Sequence, residues 1–291
     1  MIPEAVAQSI VAAVGAIDGE LTRSVGGGSI NRSYRITGHG GRRYFLKIND
    51  RSTLSAFEAE RDALQELQCA HAVRVPEVID CGVAGQSAFL LLENLELQHK
   101  SAVAAACLGE RLASQHRRTS EAFGWSRDNY IGSNPQVNQW APDWVTFFRD
   151  RRLGFQLDLA ARRGYGSTLE DRGAAVLERI DMFFESYWPQ PALLHGDLWG
   201  GNWGAATGNE PVIFDPAVYY GDREADLAMT LLFGGFSPEF YTAYREAWPL
   251  DPGFEQRRDL YNLYHVLNHL NMFGSGYLQQ ALGMMDKLLG S

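Results

Sequence analysis

Residues 193–202 read Leu-Leu-His-Gly-Asp-Leu-Trp-Gly-Gly-Asn, and residues 212–216 read Val-Ile-Phe-Asp-Pro. Asp197 and Asn202 lie five residues apart in a glycine-rich stretch, and Asp215 follows Asp197 by 18 residues at the end of a strand-like apolar run. An Asp, then an amide, then a second Asp, each led into by apolar residues, is the order that phosphoryl-transfer sites use. The carboxylate of Asp215 and the amide oxygen of Asn202 are hard oxygen ligands suited to Mg²⁺, whose other positions waters and phosphates complete. A cation there offsets charge that develops on the transferred group. Asp197 must do something different. It has to face the attacking hydroxyl, orient it and accept its proton, an effect worth ~10²–10⁴-fold in rate. Taken singly, His195-Gly196-Asp197 reads as a polar turn and Asp215 as a strand-end cap. The ordered combination argues against that reading.

Lys47 adds to the combination. The chain has 3 Lys against 23 Arg, and Lys47 is the only Lys in the first 99 residues. It sits in Tyr44-Phe45-Leu46-Lys47-Ile48, where strand alternation turns it away from Leu46 and Ile48. That suits an ammonium projecting into a cleft towards nucleotide phosphates. Glu60 falls on the same helical face as Phe57 and Leu64, and an acid on a buried face is costly unless paired. Lys47 is its natural partner, whereas Glu58 points to the other side and is expected in solvent. Upstream, Gly26-Gly27-Gly28-Ser29-Ile30-Asn31 joins two strand candidates. Its unencumbered amides can approach phosphates, although it is neither a Walker A loop nor a good G-x-G-x-x-G.

The elements that must position these residues fall into two groups. Helical periodicity over 4–17 precedes short strands at 21–25, 32–37 and 42–48, a helix at 53–70, and strands near 76–82 and 87–93. The first 95 residues are expected to form a sheet with one central helix, a nucleotide-binding lobe. Helical patterns then dominate at 101–117, 142–163, 168–187, 223–233, 253–273 and 276–289, interrupted at 192–216. The expected fold class is α+β and two-lobed, protein-kinase-like. It has a small β-rich lobe (1–95), a hinge near 93–98 and a larger helical lobe (96–291) holding the catalytic loop and substrate site. Ligands commonly bind between such lobes.

Composition narrows the partners. The 291 residues are 45% hydrophobic and 21% charged, ordinary for a globular protein. The net charge of −9 and the lack of any Lys/Arg run exclude a basic nucleic-acid face. Doublets such as Arg151-Arg152 read as helix surface. No apolar stretch approaches the ~18 residues that span a bilayer, so no membrane partner is expected. Three cysteines without a C-x-x-C suit a reducing compartment. The N-terminal stretch lacks the basic region of a signal peptide. A cytoplasmic monomer is expected.

Together these residues resemble the fructosamine (ketosamine) kinase family, a branch of the small-molecule kinases related to aminoglycoside phosphotransferases and choline kinases. The similarity runs from about residue 20 to 289. It is carried by HGDLWGGN at 195–202, FGWSRDNYIG at 123–132, QVNQWAPDWVTFF at 136–148, YYGDREADLAMTLLFGGF at 219–236 and LYHVLNHLNMFGSGYL at 263–278. The resemblance implies ATP and Mg²⁺ as cofactors. It implies Asp197 as proton acceptor, Asn202 and Asp215 as metal ligands, and Lys47 with Glu60 as the phosphate-orienting pair. Gly27, Gly28 and Ser29 are expected near the nucleotide, and Glu93, Asn94 and Leu95 as the adenine-binding hinge. Trp199 would lie beside the sugar. His195 and Asp226 would support the catalytic loop, Asp226 by accepting hydrogen bonds from its backbone. The implied reaction phosphorylates the 3-hydroxyl of a small or protein-bound ketoamine, such as a ribulosamine or fructosamine adduct, and leads to deglycation. The sequence departs from other members in a shorter hairpin before Lys47 and in Ser29, where some carry Cys. Asp215 is followed by Pro-Ala, which argues against a protein-kinase-style activation switch.

Other constellations carry other readings. Asn129, Gln136 and Asn138 are polar residues among Phe123, Trp125, Tyr130, Trp140, Trp144, Phe147 and Phe148. They could bond sugar hydroxyls or simply form turns, and the aromatics could be core or pocket wall. His265 and His269 share a helical face at zinc-binding spacing, but Val266 stands where H-E-x-x-H needs Glu. A kinase for another small alcohol and a nucleotide-binding pseudokinase remain alternatives at this point.

Overall fold

The structure is a computed structural model describing residues 2–25 and 31–290, the side chains of 18–25 excepted. Helix α1 (Glu4–Val14) leads into strands β1 (Ile17–Val25), β2 (Arg32–Gly38) and β3 (Arg43–Asp50). Helix α2 (Leu54–Cys69) and strands β4 (Val78–Ala84) and β5 (Ser87–Glu93) follow. The five strands form one antiparallel sheet in the order β1-β2-β3-β5-β4.

Strand alternation divides this sheet between two helices. Tyr44, Leu46 and Ile48 of β3 and Phe89 and Leu91 of β5 pack with Val6 and Ile10 of α1. Ala88, Leu90 and Leu92 of β5 pack with Phe57, Leu64 and Leu67 of α2. The expected single central helix is therefore corrected to one helix on each face. The reason is legible in β5: a strand reading Ala-Phe-Leu-Leu-Leu is apolar on both sides and needs cover on both. Lys47 pairs in register with Leu90, so it sits on the α2 face, at the edge of the apolar cover.

The remainder is mainly helical. Helix α3 (Ala102–His116) is capped by Ser101, whose Oγ accepts from Ala104 N at 3.1 Å. A small hairpin, β6 (Asn129–Ile131) and β7 (Asn134–Gln136), comes next. The helix expected over 142–163 is α4 (Trp144–Phe148) and α5 (Phe155–Ala160), separated by a π-helical turn at Arg149–Gly154. A second π turn precedes α6 (Gly166–Arg179). Strand β8 (Ala192–Leu194) pairs with β11 (Tyr219–Gly221), and between them β9 (Trp203–Ala206) pairs with β10 (Glu210–Ile213). Helices α7 (Arg223–Leu232), α8 (Pro238–Ala247), α9 (Phe254–Phe273) and α10 (Leu278–Leu289) complete the chain. Helix α8 adds to the expected elements, and Pro238 at its first turn is a helix-start signal.

The two parts meet at the turn before β4. Arg74 bridges to Val212, with Ile213 N donating to Arg74 O at 2.9 Å. The Arg74 guanidinium also joins Glu93 to Glu210, the latter at 2.8 Å. No helix among the described residues is long and apolar enough to cross a membrane.

Candidate active site

The catalytic loop begins where β8 ends. Its buried Ala192-Leu193-Leu194 run anchors the chain, and the next two amides, His195 N and Gly196 N, donate to Asp226 of α7 at 2.7 and 2.8 Å. Asp226 is buried and also accepts from His116 Nε2 at 3.2 Å, while His116 Nδ1 meets Tyr244 OH at 2.8 Å. Burial alone would raise the Asp226 pKa; the contact with His116 and the loop amides outweighs it and holds the carboxylate ionised. Gly196 has φ +81, and a Cβ on it would sit 2.0 Å from Ala217 O. Only glycine lets the loop pass this close to the segment carrying Ala217, between β10 and β11.

The β9–β10 hairpin explains the 18-residue interval. Asn202 immediately precedes β9 and Asp215 follows β10, so pairing of the two strands brings them together. Phe214 N donates to Asn202 O at 3.0 Å. His195 Nε2 donates to Phe214 O at 3.0 Å, and its Nδ1 accepts from Asp197 N at 3.3 Å. Those two bonds fix a neutral tautomer, and burial pushes the His195 pKa down in the same sense. His195 thus ties the Asp197 loop to the Asp215 segment. Asp215 itself has φ +57, a left-handed conformation that Asp tolerates better than most residues.

Asn202 Nδ2 donates to Asp197 O at 2.9 Å and Oδ2 at 3.2 Å. Its amide nitrogen is spent on Asp197, which leaves the amide oxygen as its ligand atom. Burial, then the charge of Asp215, pushes the Asp197 carboxyl up to about 7, against the Asn202 bond. Across the cleft, Lys47 Nζ contacts Glu60 Oε1 at 2.6 Å and Asp215 Oδ1 at 2.7 Å. Burial would lower the Lys47 pKa, but Asp215 and Glu60 outweigh it and hold the ammonium charged. The Asp215 side chain is 51% exposed, so a cation can reach it.

These groups line a cleft of 830 Å³. Lys47, Glu60, Asp197, Asn202 and Asp215 all face it, as does Trp199, whose side of the loop is exposed. Gly201 matters here, since a Cβ on it would lie 2.2 Å from the Trp199 ring. Gly27, Gly28 and Ser29 lie outside the described residues. Glu93, Asn94 and Leu95 are not among the cleft-lining residues, though Leu97 is. The Glu93 and Asn94 amides already donate to Glu77 O and Arg43 O at 2.8 and 3.2 Å. The Glu93 carboxylate is paired with Arg74.

Asn129 and Gln136 have other duties than free substrate donors. Asn129 Nδ2 donates to Val218 O at 2.8 Å, and Gln136 Nε2 donates to Asn129 Oδ1 and Ala217 O at 2.8 and 3.0 Å. Gln136 Oε1 accepts from Tyr264 OH at 2.7 Å. Asn138 Nδ2 also reaches Asn129 Oδ1, and Asn138 Oδ1 accepts from Arg152 Nη2 at 2.7 Å. Arg152 is fully buried with its guanidinium 4.0 Å from the Tyr219 ring centre. This network clamps the main chain just after Asp215; the expectation of Arg152 on a helix surface is corrected to full burial, and His116 had no role in the sequence reading. Of the aromatics, Tyr130 lines the cleft, while Phe123, Trp125, Trp144, Phe147 and Phe148 are core. His269 also faces the cleft, its Nδ1 donating to His265 O at 2.8 Å.

A small antiparallel sheet over a helical body, a strand Lys paired with a helix Glu, and an Asp/Asn/Asp constellation between them define a two-lobed, protein-kinase-like phosphotransferase. A crystal structure described as a fructosamine-3-kinase from Haemophilus somnus superposes with a TM-score of 0.88 at 28% identity, covering 98% of this chain and 97% of that one. A probable ketoamine kinase of Synechocystis is 44% identical over 268 residues, 92% of this chain and 90% of its own. A chloroplastic protein-ribulosamine 3-kinase of rice is 42% identical over 269 residues, 91% of this chain and 78% of its own. Residues 2–291 match the fructosamine kinase family, and the chain belongs to it. It is a kinase enzyme.

Proposed function

We propose that the chain moves the terminal phosphoryl group of ATP to the 3-hydroxyl of a ketoamine formed on a protein lysine or a small amine. The observation that carries this is the convergence of Lys47, Glu60, Asp197, Asn202 and Asp215 on one cleft. Lys47, held by Glu60, orients nucleotide phosphates. Asp197, aimed by Asn202 Nδ2, takes the proton from the attacking hydroxyl. Its raised pKa brings it close to neutrality, where a carboxylate is a stronger base than in water. Trp199 offers an exposed aromatic face to the sugar. Gln136 and Asn129 hold the Ala217–Val218 backbone that follows Asp215.

Asn202 Oδ1 and the Asp215 carboxylate form a hard-oxygen donor pair that fits Mg²⁺. When bound, the cation would neutralise phosphate charge. No three-residue His/Cys/Asp/Glu cluster for another metal occurs among the described residues. Phosphorylation at the 3-position weakens the sugar–amine linkage, and elimination then frees the amine, a protein-repair outcome. Ribulosamine and erythrulosamine adducts are the favoured acceptors.

The test is ADP release with ribulose-, fructose- and erythrulose-lysine beside an aminoglycoside and choline. Turnover confined to the ketoamines supports the reading. Turnover only with the aminoglycoside or choline would refute it.

A further inference from the structure

The helix that carries Glu60 is fastened to the helical part of the molecule along a stripe apart from the Lys47–Glu60–Asp215 contacts, only its Ser55–Tyr130 end lining the cleft. Ser55, Glu58, Asp62 and Glu66 recur at three- and four-residue intervals on α2 and so share a face. Ser55 Oγ lies 3.0 Å from Tyr130 OH at one end. In the middle, Arg127 Nη1 donates to Asp62 Oδ2, and Arg127 Nη2 lies 3.9 Å from Glu58 Oε2. At the other end Tyr220 OH donates to Glu66 Oε1 at 2.7 Å. From Ser55 to Glu66 the helix rises roughly 16 Å, so the attachments cover most of its length.

Their partners are themselves anchored. Tyr220 exchanges main-chain bonds with Gly124 at 2.8 and 2.9 Å. Arg127 O accepts from Asn138 Nδ2 at 3.1 Å, and Asp128 Oδ1 accepts from Asn138 N at 2.8 Å. Arg127 and its two carboxylates are each about one-third exposed, so one ion pair contributes little by itself. Three spaced attachments, however, resist both a swing and a rotation of α2. Either motion would withdraw Glu60 from Lys47. Asp215 would then be the sole partner of the ammonium, and the carboxylate needed for a cation would be held by Lys47 instead.

We infer that Arg127, together with Tyr220, is a positioning residue for phosphotransfer: it acts through α2 to keep Glu60 against Lys47, so the pair stands assembled without a separate activating event. This rests on the kinase reading above and deepens it.

A double-mutant cycle on the full chain tests it. Arg127→Ala is expected to lower kcat/KM for ATP by roughly 3- to 30-fold. Arg127→Lys, which keeps the charge but loses the fork, should recover part of that. In a Glu60→Gln background, Arg127→Ala should add no further loss. Hydrogen exchange supplies a readout that needs no turnover: Arg127→Ala should speed exchange over 54–69 and leave α9 unchanged. Equal losses in both backgrounds, or unaltered exchange over 54–69, would overturn the inference. A wild-type chain inactive on every ketoamine would sink the functional reading instead, and the exchange result would still decide the latch.

Discussion

Lys47 Nζ and Asp215 Oδ1 are 2.7 Å apart, although 168 residues separate them in the chain. With Glu60 on its other side, the ammonium is the charge on which the sheet and the helical body converge. Replacing it leaves the largely buried Glu60 carboxylate, and the half-exposed one of Asp215, without their cation. Lys47→Met is therefore expected to lower kcat/KM for ATP by roughly 10²–10³-fold, the scale of losing one well-placed charge donor. Steady-state kinetics with varied ATP checks this, and an unchanged kcat/KM would contradict it.

Gly196 sets the position of Asp197. Gly196→Ala must relieve a contact of 2.0 Å with Ala217 O at a positive φ. The strain alone costs about 1–3 kcal/mol, and displacing the loop by an ångström costs on the order of 10²-fold in rate. The expected result is a lower kcat with a lower melting temperature. Activity retained at the wild-type level would show that the loop geometry is not needed.

Asp226 acts at one remove. Asp226→Asn puts an amide group where two loop N–H groups and His116 now find a carboxylate. Breaking such a buried charged arrangement costs roughly 3–5 kcal/mol. The denaturation midpoint and kcat should fall together, while Asp226→Glu, too long for the site, should not restore either. A variant with wild-type stability would argue against the bracing role.

His265 gives a pH prediction. It is buried, with Nδ1 unpartnered among the described residues, and burial, then His269, lowers its pKa to about 3. Asp226 and Arg152 also face it, with opposite effects. A histidine depressed on folding contributes stability above its unfolded value, near 6.5, and loses it as pH falls towards 3. Urea midpoints should therefore drop between pH 7 and pH 4.5, and His265→Phe should drop less. An equal drop in both proteins would remove His265 from the account.

Much of the site is legible in the sequence because its logic is local. Order and spacing mark Asp197, Asn202 and Asp215, and the β9–β10 hairpin that converts spacing into proximity is short. Period marks Lys47 and Glu60, one on a strand and one on a helical face. Asn129 and Gln136 are harder, because their partners are main-chain carbonyls at Val218 and Ala217, and a carbonyl has no sequence signature. Arg152 reads as helix surface in the sequence, since nothing in an Arg-Arg doublet announces an aromatic cage. The angle between Glu58 and Glu60 points Glu58 to solvent, yet it leans towards Arg127, a contact no local pattern encodes. The cover that α1 gives the sheet is equally hidden, because a period places apolar residues on a face without naming its partner.

The central claim is that Asp197 activates the acceptor hydroxyl within a site that binds nucleotide independently of it. The most direct measurement compares wild type with Asp197→Asn on ribulose-lysine, following the phosphorylated sugar by phosphorus NMR and ATP binding by calorimetry. The account predicts a 3-phosphorylated product from wild type, a loss of roughly 10²–10⁴-fold in the variant, and near-normal ATP affinity in both. Equal product formation by the two proteins would contradict it.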